Sequence, residues 1–297
     1  MKKSRTALVV ASLALTMGAL NAASAGAAGN AGGAEEPTLS PISVPVDPHA
    51  KEALDYWTPE RTRATVAATN GVSADGQTLR TQAVLDNRVG ALFFTLDGKD
   101  AFCTATSVVS GKRSGVIETA AHCIRSAGNT ATNQVFIPGY NNGSRPFGTF
   151  GMNGRVLAGN YDPNNPNTPV GDIAFATTTL NENDRSLLSQ VGGYGLAFVD
   201  PSDVSGPVNV VYYVGSYDQE SCGGVTSPYS SSAPGTWTLL CGVDPLGGSG
   251  SAIKTPFDGS DQVIGITHGK NIINNEVFLG GQINEVYAEN AYEDLIN

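Results

Sequence analysis

Charge is scarce in this chain. Asp, Glu, Lys and Arg together make up 15 % of its 297 residues, against roughly 25 % in an ordinary globular protein. That shortage of Lys, Glu and Arg excludes a helical bundle or a coiled coil. Cations are the scarcer sign, 17 against 27 anions, for a net charge of −10. A nucleic-acid binder needs a basic face, which this balance argues against. Beyond the amino-terminal end no apolar run is long enough to cross a membrane. Cysteine and histidine number four and three, with no C-x-x-C pair and no histidine doublet, so a zinc site is disfavoured. No repeat of fixed period is evident. What the chain has in excess is glycine: 36 residues, about 12 % against a usual ~7 %. With 10 Phe and 10 Tyr besides, it reads as short strands joined by tight turns rather than as a disordered chain.

The amino-terminal residues form an address. Lys2, Lys3 and Arg5 precede an apolar run at 7–20, and Ala23-Ser24-Ala25 supplies the small-x-small pattern of a cleavage site. Residues 1–25 are therefore expected to be a signal peptide and the protein to be secreted. Export places the four cysteines in an oxidising setting. Three pairings are open. The sequential one, Cys103–Cys123 and Cys222–Cys241, closes short loops, each worth roughly 3 kcal/mol. Residues 26–80 hold little to bury at first and then become mixed and polar. They are expected to be a weakly structured pro-segment or flexible extension, with Arg61, Arg63 and Arg80 as points where processing could occur.

From about Arg88 the texture changes. VGALFFTL, TATSVV, GVIETAA, QVFIP, DIAFATTTL, NVVYYVGSY, TWTLLC, AIKTP and QVIGITH are short runs rich in β-branched and aromatic residues, mostly separated by Gly, Asn, Asp or Pro. They predict an all-β unit over 81–297. Ile283, Val286, Tyr287, Ala291 and Leu295 lie at helical spacing, which predicts a terminal amphipathic helix.

Three polar residues interrupt this fabric. His49 falls in the expected pro-segment, so a histidine base is either His122 or His268. His122 stands in ETAAHC, beside a cysteine whose bridge would hold it rigidly, as a base within ~3 Å of its proton must be held. Ser249 stands in PLGGSGSA, where glycines permit a sharp turn that can aim several backbone N–H groups at one oxyanion. Asp172 brings one carboxylate into the apolar run VGDIAFA, where burial demands a partner, and an imidazole N–H is one.

ETAAHC, then DIAFA, then GGSGSA, then VIGITHGK and a terminal helix resembles the chymotrypsin/trypsin-like serine endopeptidase superfamily over residues 88–297. The tail is particularly similar to the bacterial glutamyl-endopeptidase-like branch. The resemblance implies two packed six-stranded antiparallel β-barrels with a C-terminal α-helix and a cleft between them. It implies His122 as general base, Asp172 as its orienting carboxylate, Ser249 as nucleophile, and the N–H groups of Gly247 and Ser249 as oxyanion hole. Cys103 and Cys123 match the bridge that closes the histidine loop. Expected partners are protein or peptide substrates, with no nucleic acid, no membrane, no metal and no organic cofactor, and the chain is expected to be a monomer.

Two departures stand out. The residue before the nucleophile is commonly Asp or Asn in such chains, and here it is Gly248. Gly248 cannot receive a new amino terminus as an ion pair, so the oxyanion loop must be ordered another way. His268 falls either beside Asp172, where related enzymes often carry Ser, or in the specificity pocket. Pocket signs conflict: Asp244 favours Arg or Lys before the scissile bond, whereas His268, Gly269 and Lys270 favour Glu or Asp, with the weak balance toward basic residues. The loop at 160–169 carries one carboxylate, Asp162, too few for calcium. The alternative to an enzyme is an inactive homologue that binds a partner through the same cleft.

Overall fold

The computed structural model describes residues 39–69, 86–204, 206–213, 219–228, 235–241, 247–257 and 260–297. All lie in one compact unit, Pro37–Asn297. Residues 1–25, expected to be a signal peptide, therefore fall outside the described residues, as do Arg80 and Asp244. The stretch expected to be weakly structured is ordered over 39–69. A short strand β1 (Ile42–Val44) is followed by helices α1 (Glu52–Tyr56) and α2 (Pro59–Thr69). Trp57 between the helices is fully buried, with Ala53 and Val66 beside it.

The reason is on the next strands. β2 (Val89–Leu96) and β3 (Lys99–Val108) form a hairpin turned by Asp97-Gly98, both at positive φ, as a tight two-residue connection demands. β4 (Val116–Thr119) follows. β5 (Arg125–Ser126) and β6 (Asn129–Thr130) make a small separate ribbon. β7 (Thr132–Pro138), β8 (Phe150–Leu157) and β9 (Ala174–Thr178) complete the half. The ring runs β7-β2-β3-β4-β9-β8 and closes back through β7–β8, an antiparallel six-stranded barrel. Successive side chains on a strand face opposite sides. Leu92 and Phe94 of β2 join the barrel core, whereas Val89, Ala91 and Phe93 join a second cluster with Trp57 and Val66. The run VGALFFTL is apolar throughout because both its faces are covered. β1 adds itself to the outside of β8, Ile42 opposite Leu157.

Helix α3 (Leu187–Val191) and strand β10 (Gly195–Leu196) lead into the second half. It comprises β11 (Pro207–Tyr213), β12 (Gln219–Val225), β13 (Ser227–Pro228), β14 (Thr236–Leu240), β15 (Ala252–Phe257), β16 (Ser260–Ile273) and β17 (Glu276–Ile283). Their order is β12-β11-β15-β16-β17-β14-β13, with β10 on β16. Among the described residues this second sheet pairs as a half-barrel, the second of the two barrels expected. The terminal helix α4 (Val286–Ile296) packs Ala288, Ala291, Tyr292 and Leu295 onto the first barrel. It begins later than the spacing predicts: Ile283 ends β17 and Val286 is exposed.

Candidate active site

His122 occupies a single 3₁₀ turn, Ala121–Cys123, just past the end of β4. The Cys103–Cys123 disulfide fastens that turn to β3, and Cys222–Cys241 joins β12 to the end of β14. Asp172 lies two residues before β9 and is wholly buried. Its Oδ1 accepts the main-chain N–H of His122 at 2.8 Å, and its Oδ2 lies 2.7 Å from His122 Nδ1. Both carboxylate oxygens thus grip one histidine, fixing backbone and ring together. Nδ1–H is the donor, which leaves Nε2 as the basic nitrogen.

A second imidazole shares the same oxygen. His268 Nδ1 lies 2.5 Å from Asp172 Oδ2, and the two histidine rings meet edge to face with centroids 5.2 Å apart. Of the two placements open for His268, the structure has the one beside Asp172. Gly269 next to it is half-buried and Lys270 is exposed.

Burial pulls the His122 imidazole down, but the charge and hydrogen bond of Asp172 outweigh it, and the net shift is upward. Burial likewise pushes the Asp172 carboxyl up. The charge and hydrogen bond of His122, with help from His268, overcome this and hold it below the ordinary carboxylate range. Four residues before His122, Glu118 is fully buried in β4. Burial raises its carboxyl to about 8, against a smaller downward pull from Asn284.

Ser249 rides on a turn in which three successive carbonyls, those of 247–249, are hydrogen-bonded. The Gly247 carbonyl accepts from Thr104 Oγ1 at 2.8 Å, that of Gly248 from Ser251 Oγ at 2.5 Å, and that of Ser249 from Thr104 N at 2.8 Å. Each trans peptide then turns its N–H the opposite way, so the Gly248 and Ser249 amides face away from those donors. Gly250, at φ +83°, brings the turn against β4's exit: a β-carbon there would lie 2.2 Å from Thr119 Oγ1 and 2.9 Å from the Ala120 nitrogen. The turn carrying the serine is therefore seated on the segment that carries His122. The Ser249 hydroxyl itself donates to the His268 carbonyl at 3.0 Å.

Sequence reasoning missed Thr104, Ser251 and Phe102, which hold this turn. Thr104 and Phe102 lie in a strand whose polar and aromatic residues look like ordinary alternation. Ser251, two past Ser249 in GSGSA, offered the only local signal.

No family model matches the chain, and no curated protein matches it. Among solved structures, the protease Anisep from Arthrobacter nicotinovorans is similar at a TM-score of 0.62 and 22 % identity, over 72 % of this chain and 97 % of that one. A thermostable serine protease, AL20, from an extremophilic microorganism is similar at a TM-score of 0.60 and 21 % identity, over 70 % and 97 %. This chain has their two-barrel, trypsin-like fold.

Proposed function

We propose that this protein is a secreted serine endopeptidase in which Ser249, His122 and Asp172 act together. The observation that carries the reading is the double grip of buried Asp172 on His122, backbone and ring, beside a glycine turn that presents a hydroxyl. In the reaction, the Ser249 hydroxyl turns from the His268 carbonyl to His122 Nε2 and gives up its proton there. The oxygen bonds to a peptide carbonyl carbon, whose oxygen becomes the oxyanion held by the Gly247 and Ser249 amides. The carbon–nitrogen bond breaks as His122 returns the proton to the leaving amine. Water repeats the sequence on the acyl-enzyme, its proton passing through His122 to Ser249. The chain's own residues supply every proton transfer.

Export is supported by the leader-like residues 1–25 and by two disulfides, which persist in oxidising compartments. Among the described residues no helix is long and apolar enough to cross a membrane. Substrate preference leans to Arg or Lys before the scissile bond. Asp244 supports this, and His268, one of the three signs for acidic residues, is engaged by Asp172.

Gly248, and a Ser249 hydroxyl bonded to a carbonyl rather than to an imidazole, favour a second reading: a silent, partner-binding homologue. A fluorophosphonate probe separates the two. Labelling at Ser249, absent in Ser249→Ala, is the result expected of the enzyme. An unlabelled parent chain leaves only the binding protein. Mapping cuts in a denatured protein then tests the pocket, and cuts confined to acidic positions would refute the Asp244 argument.

A further inference from the structure

The Ser249 turn lacks the ion pair that an acidic residue at 248 could make with an incoming amino terminus. Its ordering must come from elsewhere. Three carbonyl anchors come from Thr104 and Ser251, but the turn also has a floor. Gly247, at φ +92°, rests on the ring of Phe102: a β-carbon there would lie 2.3 Å from two of its ring atoms. Backbone this close to an aromatic ring cannot shift without the ring shifting too.

Phe102 is not a terminus of the packing. Its ring centroid lies 5.8 Å from that of Phe93, which lies 5.2 Å from Trp57 and 5.1 Å from Tyr140. Trp57 is fully buried and belongs to the ordered amino-terminal segment, as does Val66 of α2 in the same cluster. That segment is pinned at several further points. Trp57 Nε1–H donates to the Asn133 carbonyl, Arg145 donates to the Trp57 carbonyl, and Arg61 pairs with Asp100 of β3 at 2.7 Å. Tyr213 closes the cluster from the second sheet, and its main-chain N–H donates to Thr104 Oγ1 at 3.2 Å.

We infer that residues 39–69 are a working part of the enzyme rather than a discarded leader, and that Trp57 sets the oxyanion turn through the stack Trp57–Phe93–Phe102–Gly247. The segment supplies the order that a terminus ion pair cannot supply at Gly248. Trp57, Phe93 and Phe102 are positioning residues, since none is asked to touch substrate. The inference rests on the serine-endopeptidase reading above.

The test uses the full chain, with active sites counted by the acyl-enzyme burst so that kcat refers to competent molecules alone. Phe102→Leu keeps bulk and removes the ring. It is expected to lower kcat on a peptide ester about tenfold or more, as misplacement of an oxyanion donor by a fraction of an ångström does. KM stays within about twofold, and affinity for a peptide aldehyde, which forms a tetrahedral adduct, falls with kcat. Trp57→Leu is expected to act in the same direction, and Trp57→Phe to restore much of the loss. Leu187→Ala, buried in the barrel core outside this cluster, is the structural control: it lowers the unfolding temperature and leaves kcat per titrated site alone. A folded Phe102→Leu chain whose kcat and aldehyde affinity match the parent's overturns the inference while the protease reading stands. A parent that neither hydrolyses peptides nor labels at Ser249 overturns both.

Discussion

Two carboxylates four residues and fifty residues from His122 behave in opposite ways, and environment alone decides which. Asp172 is buried but met by three N–H donors, from the His122 backbone, the His122 ring and the His268 ring. It stays ionised and raises His122. A general base works only when neutral, so kcat/KM is expected to fall toward acid with a midpoint above the ordinary 6.5. Asp172→Asn removes the charge that raises His122. It should cut kcat roughly 10³–10⁴-fold and move the acid midpoint down, read from the pH profile of ester hydrolysis. Glu118 is buried without such support, and its carboxyl is raised to about 8 from 4.5. Between those values the folded chain keeps a proton that the unfolded chain has released. Stability therefore falls as pH rises through that window, by about 1.4 kcal/mol per unit for a full proton, and the loss is complete above the folded value. Glu118→Gln cannot ionise. Its thermal unfolding should match the parent's near pH 4.5 and exceed it increasingly up to pH 8, with a gap approaching ~5 kcal/mol.

At the scale of elements, the two disulfides have nearly equal sequence spans, 20 and 19 residues, so removing either should cost roughly 3 kcal/mol in denaturant unfolding. Their effects on activity should differ. Cys103–Cys123 fastens the His122 turn to β3, and replacing both cysteines by Ala should lower kcat per titrated site as well as stability. Cys222–Cys241 ties β12 to the end of β14 and joins neither the His122 turn nor the Ser249 turn, and its loss should leave kcat within about twofold. Both pairings were among those open in the sequence, where spacing favoured them without deciding. The same holds for much of the site. ETAAHC, DIAFA and GGSGSA were legible because glycine, histidine and a lone carboxylate are conspicuous in apolar strands. The amino-terminal helices were not. Their residues, such as Ala53 and Thr62, are individually unremarkable, and the sign of what they cover lay elsewhere, in a β2 that shows no polar alternation. The late start of α4 was also beyond a pattern argument, since it depends on how far β17 finds a partner strand.

At the scale of the whole molecule, the two halves are fastened by more than the Ser249 turn. Asp86, just before β2, is 8 % exposed at its side chain, and Lys254 on β15 is 5 % exposed; Lys254 Nζ lies 3.1 Å from Asp86 Oδ2. Arg88 Nε lies 3.0 Å from the other oxygen, and the Tyr194 hydroxyl from the connecting segment donates to the same carboxylate. Burial pushes the Asp86 carboxyl up, yet Tyr194, Lys254 and Arg88 together hold it below its ordinary value, while burial pulls the Lys254 ammonium down. Such a clasp contributes little net energy compared with apolar contacts of the same volume, but half a clasp is costly, because one charge is left buried alone. Asp86→Ala is therefore expected to destabilise the fold by about 3–5 kcal/mol. Asp86→Ala combined with Lys254→Met removes both charges and should recover most of that loss, measured as urea midpoints at unchanged slope. The contrast should depend on pH. A carboxylate held below its unfolded value contributes stability above that value and loses it as pH falls through the folded one. Acid should therefore weaken the parent faster than the double variant, and parallel acid limbs in the two chains would show that Asp86 and Lys254 do not bind the halves together.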